Sequence, residues 1–126
     1  MMAGLGIHHV SVLVSDTRRA LDFYHGVLGL PLEHSRPDTG FPGAWLRIGQ
    51  QQLHLLELPE QLAASRATGH GGRDHHFAML VNDLDGLRQA LEVHGIAYTP
   101  SRSGRRALFC RDPDGNAVEI VEQEVT

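Results

Sequence analysis

One near-repeat constrains the fold of this chain more than any other feature of its sequence. The segment HHVSVLVSD at residues 8–16 returns as HHFAMLVND at residues 75–83. A chain of 126 residues can bury one compact core but not two independent ones. The two copies are therefore expected to be related halves of a single domain that spans residues 1–126.

The first half, residues 5–58, is predicted to form a βαβββ module. Residues 7–14 alternate in a β-rich segment, Asp16 can cap the helix that follows, and Gly29 can end that helix with a positive φ. Three further strands are predicted, at residues 32–36, 44–48 and 52–57.

The second half, residues 74–124, repeats this order. Its first strand is predicted at residues 75–81, the helix cap at Asn82 or Asp83, and the end of the helix at Gly95. The remaining strands are predicted at 97–101, 107–111 and 117–122, the last two joined by the turn sequence DPDGN.

The residues between the modules, 59–73, are polar and become glycine-rich toward their end. We expect a connector that contains a short helix and that can act as a lid over a site. The predicted class is α+β, with two paired βαβββ modules that form a curved mixed sheet. Helices cover one face of this sheet, and the other face encloses a cleft that is predicted to bind a metal ion.

The prediction of a metal site rests on the alternation of side chains along the strands. Successive side chains on a strand point to opposite faces, so the apolar set of each strand is predicted to pack against the helix. The opposite set contains one candidate metal ligand on each of four strands: His9, His54, His76 and Glu119. A histidine on a strand is often a core or surface residue with no metal role. The symmetric placement of these four residues in the repeat argues against that alternative.

Three imidazoles and one carboxylate suit a divalent ion and leave open positions for water or substrate. An ion would also offset the cost of burying the charge of Glu119. These ligand types do not distinguish Zn²⁺, Ni²⁺, Co²⁺, Mn²⁺ and Fe²⁺, so one divalent ion of unspecified identity is expected at each site.

Further residues are predicted to contact a substrate because they share the cleft faces or border them. They are Ser11, Gln52, Trp45, Arg47, Phe109 and Arg102. For Ser11 and Gln52, the alternative is a hydrogen bond to a metal ligand. Arg47 has a surface position as its alternative, and the loop SRSGRR, which carries Arg102, Arg105 and Arg106, can equally be a solvated basic turn.

Composition excludes several classes of function. A formal net charge of −4 without a run of Lys or Arg argues against a nucleic-acid partner, and no apolar stretch is long enough to span a bilayer. The N-terminus lacks the pattern of a secretory signal. The single cysteine, Cys110, suits a reducing compartment and is expected to be buried, so the expected location is the cytoplasm.

Five segments together resemble the vicinal oxygen chelate superfamily: HHVSVLVSD, FYHGVLGL, QLHLLE, HHFAMLVND and RDPDGNAVEI. This superfamily includes glyoxalase I, methylmalonyl-CoA epimerase, extradiol dioxygenases, fosfomycin-resistance thiol transferases and bleomycin-binding proteins. The resemblance covers nearly the whole chain. It implies metal ligands at the same four positions and a small oxygen-rich substrate bound to the ion through two neighbouring oxygens. It also implies a homodimer, in which each site either lies within one chain or is shared between the two chains.

The chain departs from individual members of the superfamily. Glyoxalase I commonly carries a glutamate where His54 stands, which leaves Glu119 as the candidate catalytic base, and often carries an arginine where Leu13 stands. Ser11 and Trp45 match fosfomycin transferases, whereas Thr99 replaces their lysine.

Two other classes of the superfamily differ from this chain in their metal ligands. Extradiol dioxygenases use two histidines and one carboxylate, so His54 would be a surplus ligand, and metal-free bleomycin binders generally lack the ligands. The favoured function is a metal-dependent enzyme like a glyoxalase-type lyase or isomerase. The alternatives are an antibiotic resistance protein of the fosfomycin or bleomycin type, and an extradiol-type dioxygenase.

Overall fold

The computed structural model describes residues 2–63 and 69–124. The first half begins with strand β1 (His9–Val14) and helix α1 (Thr17–Leu21), which continues as a π-helical segment (Asp22–Val27). The remaining strands of this half are β2 (Leu32–Glu33), β3 (Gly43–Ile48) and β4 (Gln51–Glu57).

A connector and the second half follow. The connector contains helix α2 (Pro59–Leu62) and a 3₁₀ turn (Gly71–Arg73). The second half consists of β5 (His76–Val81), α3 (Leu84–Val93), β6 (Tyr98–Pro100), β7 (Ala107–Arg111) and β8 (Ala117–Glu122). The part of the predicted lid that falls on residues 64–68 lies outside the described residues.

Each half forms one four-stranded mixed sheet with the same topology. The strand orders are β1-β4-β3-β2 and β5-β8-β7-β6. In each sheet the first and last strands of the module pair in parallel, and the other pairs are antiparallel. The prediction of an α+β fold built from two βαβββ modules is therefore confirmed.

The helix boundaries follow the local sequence signals. The side chains of Asp16 and Asp83 each accept a hydrogen bond from a backbone N–H in the first turn of their helix, so Asp83 rather than Asn82 is the second cap. Gly29 and Gly95 have φ values of +74° and +68°, as expected for residues that follow the end of a helix in the left-handed conformation.

Four strands are shorter than predicted: β1 begins at His9 instead of residue 7, β5 begins at His76 instead of residue 75, and β2 and β6 are also shortened. Strand β2 contains two residues instead of the predicted 32–36, because the Glu33 carboxylate accepts hydrogen bonds from both the backbone N–H and the hydroxyl of Ser35 and turns the chain. Strand β6 spans Tyr98–Pro100 instead of the predicted 97–101, although the Ser101 N–H just beyond it still donates to the Ala107 carbonyl at 2.9 Å.

Both modules contribute to one continuous apolar core on the helix side of the sheets. Leu46 and Leu53 of the first sheet, Leu91 of α3 and Ile120 of β8 all belong to this core and are fully buried. Across the described ranges 2–63 and 69–124, none of the helices combines the length and the apolar character needed to cross a bilayer.

The turn between β7 and β8 links the two modules through polar contacts. The Tyr24 hydroxyl donates to Asp112 at 2.8 Å, and the Ser15 hydroxyl donates to Asp114 at 2.6 Å. The Asn116 amide donates to the backbone carbonyl of Leu13 at 2.8 Å. These bonds hold the edge of β1 and the start of α1 against the second module.

The end of the connector lies directly on the second sheet. A Cβ atom added to Gly71 would lie 2.9 Å from the Ala117 Cβ atom and 3.1 Å from the Phe109 ring. Only a glycine permits this close approach without a shift of the turn, and the approach brings Arg73 to the edge of the open sheet face.

Candidate functional site

A stack of three aromatic rings crosses the open face of the first sheet. The Trp45 and His54 rings are parallel with centroids 4.1 Å apart, and the His9 ring stacks on the other side of His54, also at 4.1 Å. The strand register places Ser11 beside His54 on the same face. The structure therefore brings His9 and His54 together, with Trp45 as an apolar wall, and we call this pair the first half-site.

The environment of His54 suits a metal ligand. Its side chain is 7% exposed, and burial lowers its pKa, with repulsion from His9 and His8 as a smaller cause. The imidazole is therefore neutral at neutral pH, which is the form that binds a metal. The Gln52 side-chain oxygen accepts a hydrogen bond from Nε2 of His54 at 2.8 Å and fixes the orientation of the ring.

Arg47 and Ser11 lie on the same face as the first half-site. The Arg47 guanidinium donates to Glu33 at 2.9 Å, so its charge is already paired. A role as an anion clamp would require this ion pair to open. Ser11 is exposed and lines a cavity of about 410 Å³ between β1 and β5, which His76 also lines.

The open face of the second sheet carries a second pair of candidate ligands, His76 and Glu119, which we call the second half-site. Nε2 of His76 lies 3.4 Å from Oε1 of Glu119. The backbone carbonyl of Asp74 accepts a hydrogen bond from Nδ1 of His76 at 2.9 Å. A carbonyl oxygen only accepts, so in the neutral ring the lone pair lies on Nε2 and faces the carboxylate.

This geometry fits two ligands of one cation. Two atoms bonded to the same ion at about 2.1 Å lie roughly 3.0–3.4 Å apart in octahedral or tetrahedral geometry. Glu119 is 4% exposed, and Arg105 supplies a positive charge by donating to Oε2 at 3.0 Å. The Phe109 ring packs edge-on against His76 with centroids 5.0 Å apart and forms the apolar wall of this half-site.

The two half-sites do not meet within one chain. In the part of the chain that the structure describes, no three His, Cys, Asp or Glu side chains are grouped closely enough to hold a metal ion. The described part of a single chain thus presents two separate pairs of candidate ligands instead of one set of four.

A cavity of about 420 Å³, which we call the arginine pocket, adjoins the second half-site. It is lined by His76 and Glu119, and by His70, Gly72, Arg73, Ser101, Arg102, Ser103, Arg105 and Phe109. Arg102 is therefore placed beside a predicted metal ligand. No sequence pattern pointed to Arg73 or His70, because only the docking of the connector on the second sheet brings them to this pocket.

Two neighbouring residues lie outside the arginine pocket and have other roles. Arg106 donates to Glu122 at 2.7 Å and to Asp85 at 3.3 Å. Cys110 is buried as expected, and burial, with a smaller contribution from Asp112, raises its pKa to about 12. The thiol is therefore protonated at neutral pH and serves as a packing residue.

Comparisons with known proteins agree with this architecture. The family model described as Glyoxalase/Bleomycin resistance protein/Dioxygenase superfamily matches residues 6–120. A protein of Arabidopsis thaliana named glyoxylase I 4 is 33% identical over 121 residues, which cover 90% of this chain and 68% of that protein. The glutathione transferase FosA of Serratia marcescens is 28% identical over 116 residues, which cover 90% of this chain and 78% of that protein.

Among solved structures, a Bacillus anthracis protein assigned to the glyoxalase family has the same fold. It superposes with a TM-score of 0.78 at 24% identity, covering 98% of this chain and 99% of that chain. The match of the family model over most of the sequence, together with the paired four-stranded sheets, leads to one conclusion: the chain belongs to the glyoxalase/bleomycin resistance protein/dioxygenase superfamily.

Proposed function

We propose that this protein is a metal-dependent lyase or isomerase whose active site forms between two copies of the chain. His9 and His54 of one copy and His76 and Glu119 of the other would hold one divalent ion. The observation that carries this proposal is the presence of two pairs of candidate ligands, His9 with His54 and His76 with Glu119. Within the described residues, neither pair has a third candidate ligand close enough to share a metal ion.

Metal chemistry explains why one half-site is not enough. Catalytic zinc sites generally use three protein ligands and an open position, and each half-site offers two ligands. In a dimer with two-fold symmetry, any contact of the first half-site of one copy with the second half-site of the other occurs twice. Such a dimer would contain two equivalent sites with four ligands each.

The exposure of the open sheet faces supports an interface at this position. His9 and His76 are exposed in the single chain. Leu80 lies on the same face of its sheet as His76 and is 64% exposed. An apolar side chain of this size gains from burial in an interface.

Each residue of the site has a defined task in this proposal. A bound divalent ion supplies Lewis-acid stabilisation of negative charge that develops on the substrate oxygens. Glu119 is the one carboxylate of the set, and its carboxylate oxygens can accept a proton from a carbon next to a substrate carbonyl and return it. Trp45 and Phe109 exclude water from the two sides of the site.

The proposal is tested by metal analysis of the purified protein and of two variants, His76→Ala and Glu119→Ala. We expect the wild-type protein to hold one divalent ion per chain and to isomerise small α-hydroxycarbonyl compounds. Both variants should lose the ion and the turnover. His34→Ala is a matched control, because His34 is exposed and outside both half-sites. A His76→Ala protein that retains metal and turnover would contradict the proposal.

A second candidate function is antibiotic resistance by thiol transfer. It is favoured by the similarity to a glutathione transferase and by the presence of Ser11 and Trp45 on the open face of the first sheet. Overexpression should then protect cells from fosfomycin, and the Glu119→Ala variant should not. Unchanged sensitivity of cells that produce the wild-type protein would count against this function.

A further inference from the structure

We propose that the arginine pocket recognises an oxyanion group of the substrate, either a carboxylate or a phosphate-type group, and holds it beside His76 and Glu119. The role of this group as part of a substrate rests on the proposed function. The binding of the anion itself rests on the pocket alone.

The charge of the pocket is opposite to that of the whole protein. Arg73, Arg102 and Arg105 line it, and Glu119 is the one carboxylate among the residues that line it. Three guanidinium groups against one carboxylate leave an excess of two positive charges, in a chain whose formal net charge is −4. A concave surface with this excess attracts anions and concentrates them from solution.

The arginines around the second sheet divide into two groups. Arg111 donates to Asp74 and to the Gly115 carbonyl, and Arg106 is paired with Glu122 and Asp85, so both have structural partners. By contrast, within residues 2–63 and 69–124, neither Arg73 nor Arg102 forms an ion pair. Their donors are therefore available to a ligand.

Two local structures fix the position of these arginines. The 3₁₀ turn that carries Arg73 is held against the sheet by the close approach of Gly71 to Phe109. In the β6–β7 loop, the Ser101 hydroxyl bonds the Ser103 hydroxyl at 2.8 Å and accepts from the Ser103 backbone N–H at 3.2 Å. Both residues line the pocket, and because one hydroxyl donates to the other, one hydroxyl proton is left as a donor for an oxyanion.

Arg105 connects the pocket to the second half-site. Its guanidinium donates to Oε2 of Glu119 at 3.0 Å, while Oε1 of the same carboxylate faces His76. A guanidinium has five N–H donors, so Arg105 can contact Glu119 and an oxyanion at the same time. An anion bound here would place the adjoining part of the substrate next to His76 and Glu119.

The test is a calorimetric titration of the full chain with inorganic phosphate and, separately, with acetate, at constant ionic strength set by chloride. We expect saturable binding of at least one of the two ions. Stronger binding of phosphate identifies a phosphate-type group on the substrate, and stronger binding of acetate identifies a carboxylate. Both results support the pocket, whereas binding of neither ion above the chloride background overturns it.

Matched substitutions in one loop locate the binding. Arg102→Gln and Arg105→Gln should each weaken the binding of the preferred ion by about tenfold, the usual effect of losing a charge-assisted hydrogen bond. Arg106→Gln removes the same charge from the same loop, but its side chain points to Glu122 and Asp85, so it should leave the affinity unchanged. Equal losses in all three variants would overturn the assignment, because they would indicate a nonspecific effect of net charge.

The outcome can be separated from that of the proposed function. The same titration on metal-free protein treated with a chelator, and on His9→Ala, should retain anion binding, because the arginines do not need the ion and His9 does not line the pocket. If metal analysis fails and this titration succeeds, the arginine pocket stands without the metal enzyme. Loss of anion binding in both samples would contradict a pocket formed by the arginines.

Discussion

Gln52 shows how a hydrogen-bond partner can orient a candidate metal ligand. Its side-chain oxygen accepts a hydrogen bond from Nε2 of His54, whose ring is stacked between Trp45 and His9. The rings limit the tilt of the imidazole, and the hydrogen bond limits its rotation. Partners of this kind commonly change metal affinity because they orient the ligand and set its protonation.

We predict that Gln52→Ala weakens metal binding by about 10- to 100-fold, because His54 loses the partner that orients it. Gln51→Ala is the control, since Gln51 is the exposed neighbour at the start of β4. Competition with a chromophoric chelator measures the two affinities. Equal affinities for the two variants would show that the hydrogen bond does not matter to the site.

At the scale of elements, alternation along strands predicted the open faces of both sheets. His54 and Glu119 lie on the faces expected from a period of two, because the apolar residues on either side of each belong to the core. Because the two halves repeat each other, the strand faces predicted for one half could be compared with those predicted for the other. The bounds of β1, β2, β5 and β6 were predicted less well. The end of β2, for example, depends on the hydrogen bonds of Glu33 with Ser35, which a period of two does not reveal.

The arginine pocket could not be predicted from alternation. Arg102 was recognised from a basic loop, but Arg73 reaches the pocket only because a glycine turn of the connector docks on the second sheet. The pattern of residues also could not predict that the two half-sites are separated within one chain. Both features depend on how the helices, strands and connector are arranged in space, and the periodicity of a strand carries no information about that arrangement.

Glu122 joins strand β8 to helix α3 and makes this contact sensitive to pH. Its carboxylate accepts hydrogen bonds from Arg106 and from the backbone N–H of Leu84, in the first turn of α3. These contacts, with that of Arg106 first, lower the pKa of Glu122 from its ordinary value of 4.5. Its contribution to stability is therefore present above pH 4.5 and is lost as the pH falls below that value.

We predict that Glu122→Gln lowers the free energy of unfolding at pH 7 and that its difference from the wild type shrinks at pH 3.5, below the ordinary value of 4.5. Urea unfolding at the two pH values measures this difference. Glu124→Gln, at an exposed position two residues further on, should match the wild type at both. A difference for Glu122→Gln that does not change with pH would contradict the prediction.

At the scale of the whole molecule, a buried hydrogen bond holds the two modules in register. The Tyr24 hydroxyl, on the helix of the first module, donates to the Asp112 carboxylate in the β7–β8 turn. Both residues are buried, and burial raises the pKa of Asp112. Removal of the hydroxyl would leave this carboxylate with one donor fewer in a site that water does not reach.

Tyr24→Phe is predicted to destabilise the fold by about 1–3 kcal/mol, the usual cost of a buried acceptor that loses its donor. Tyr98→Phe is the matched control, because the Tyr98 hydroxyl donates to an exposed acceptor, Glu92. Urea unfolding should show a small change for Tyr98→Phe. Similar losses in both variants would contradict the prediction, because the buried link would then add no more stability than an exposed hydrogen bond.

If one metal site is assembled from two chains, two inactive variants should complement each other when they are mixed. His9→Ala and Glu119→Ala homodimers should each lack metal in both sites. When the variants are refolded together, the mixed dimer contains one site with His9 of one chain and Glu119 of the other intact. We predict that purified mixed dimers recover half of the metal bound by the wild-type dimer. Mixed dimers that hold no metal would contradict a site shared between two chains, because a site confined to one chain would be damaged in both subunits.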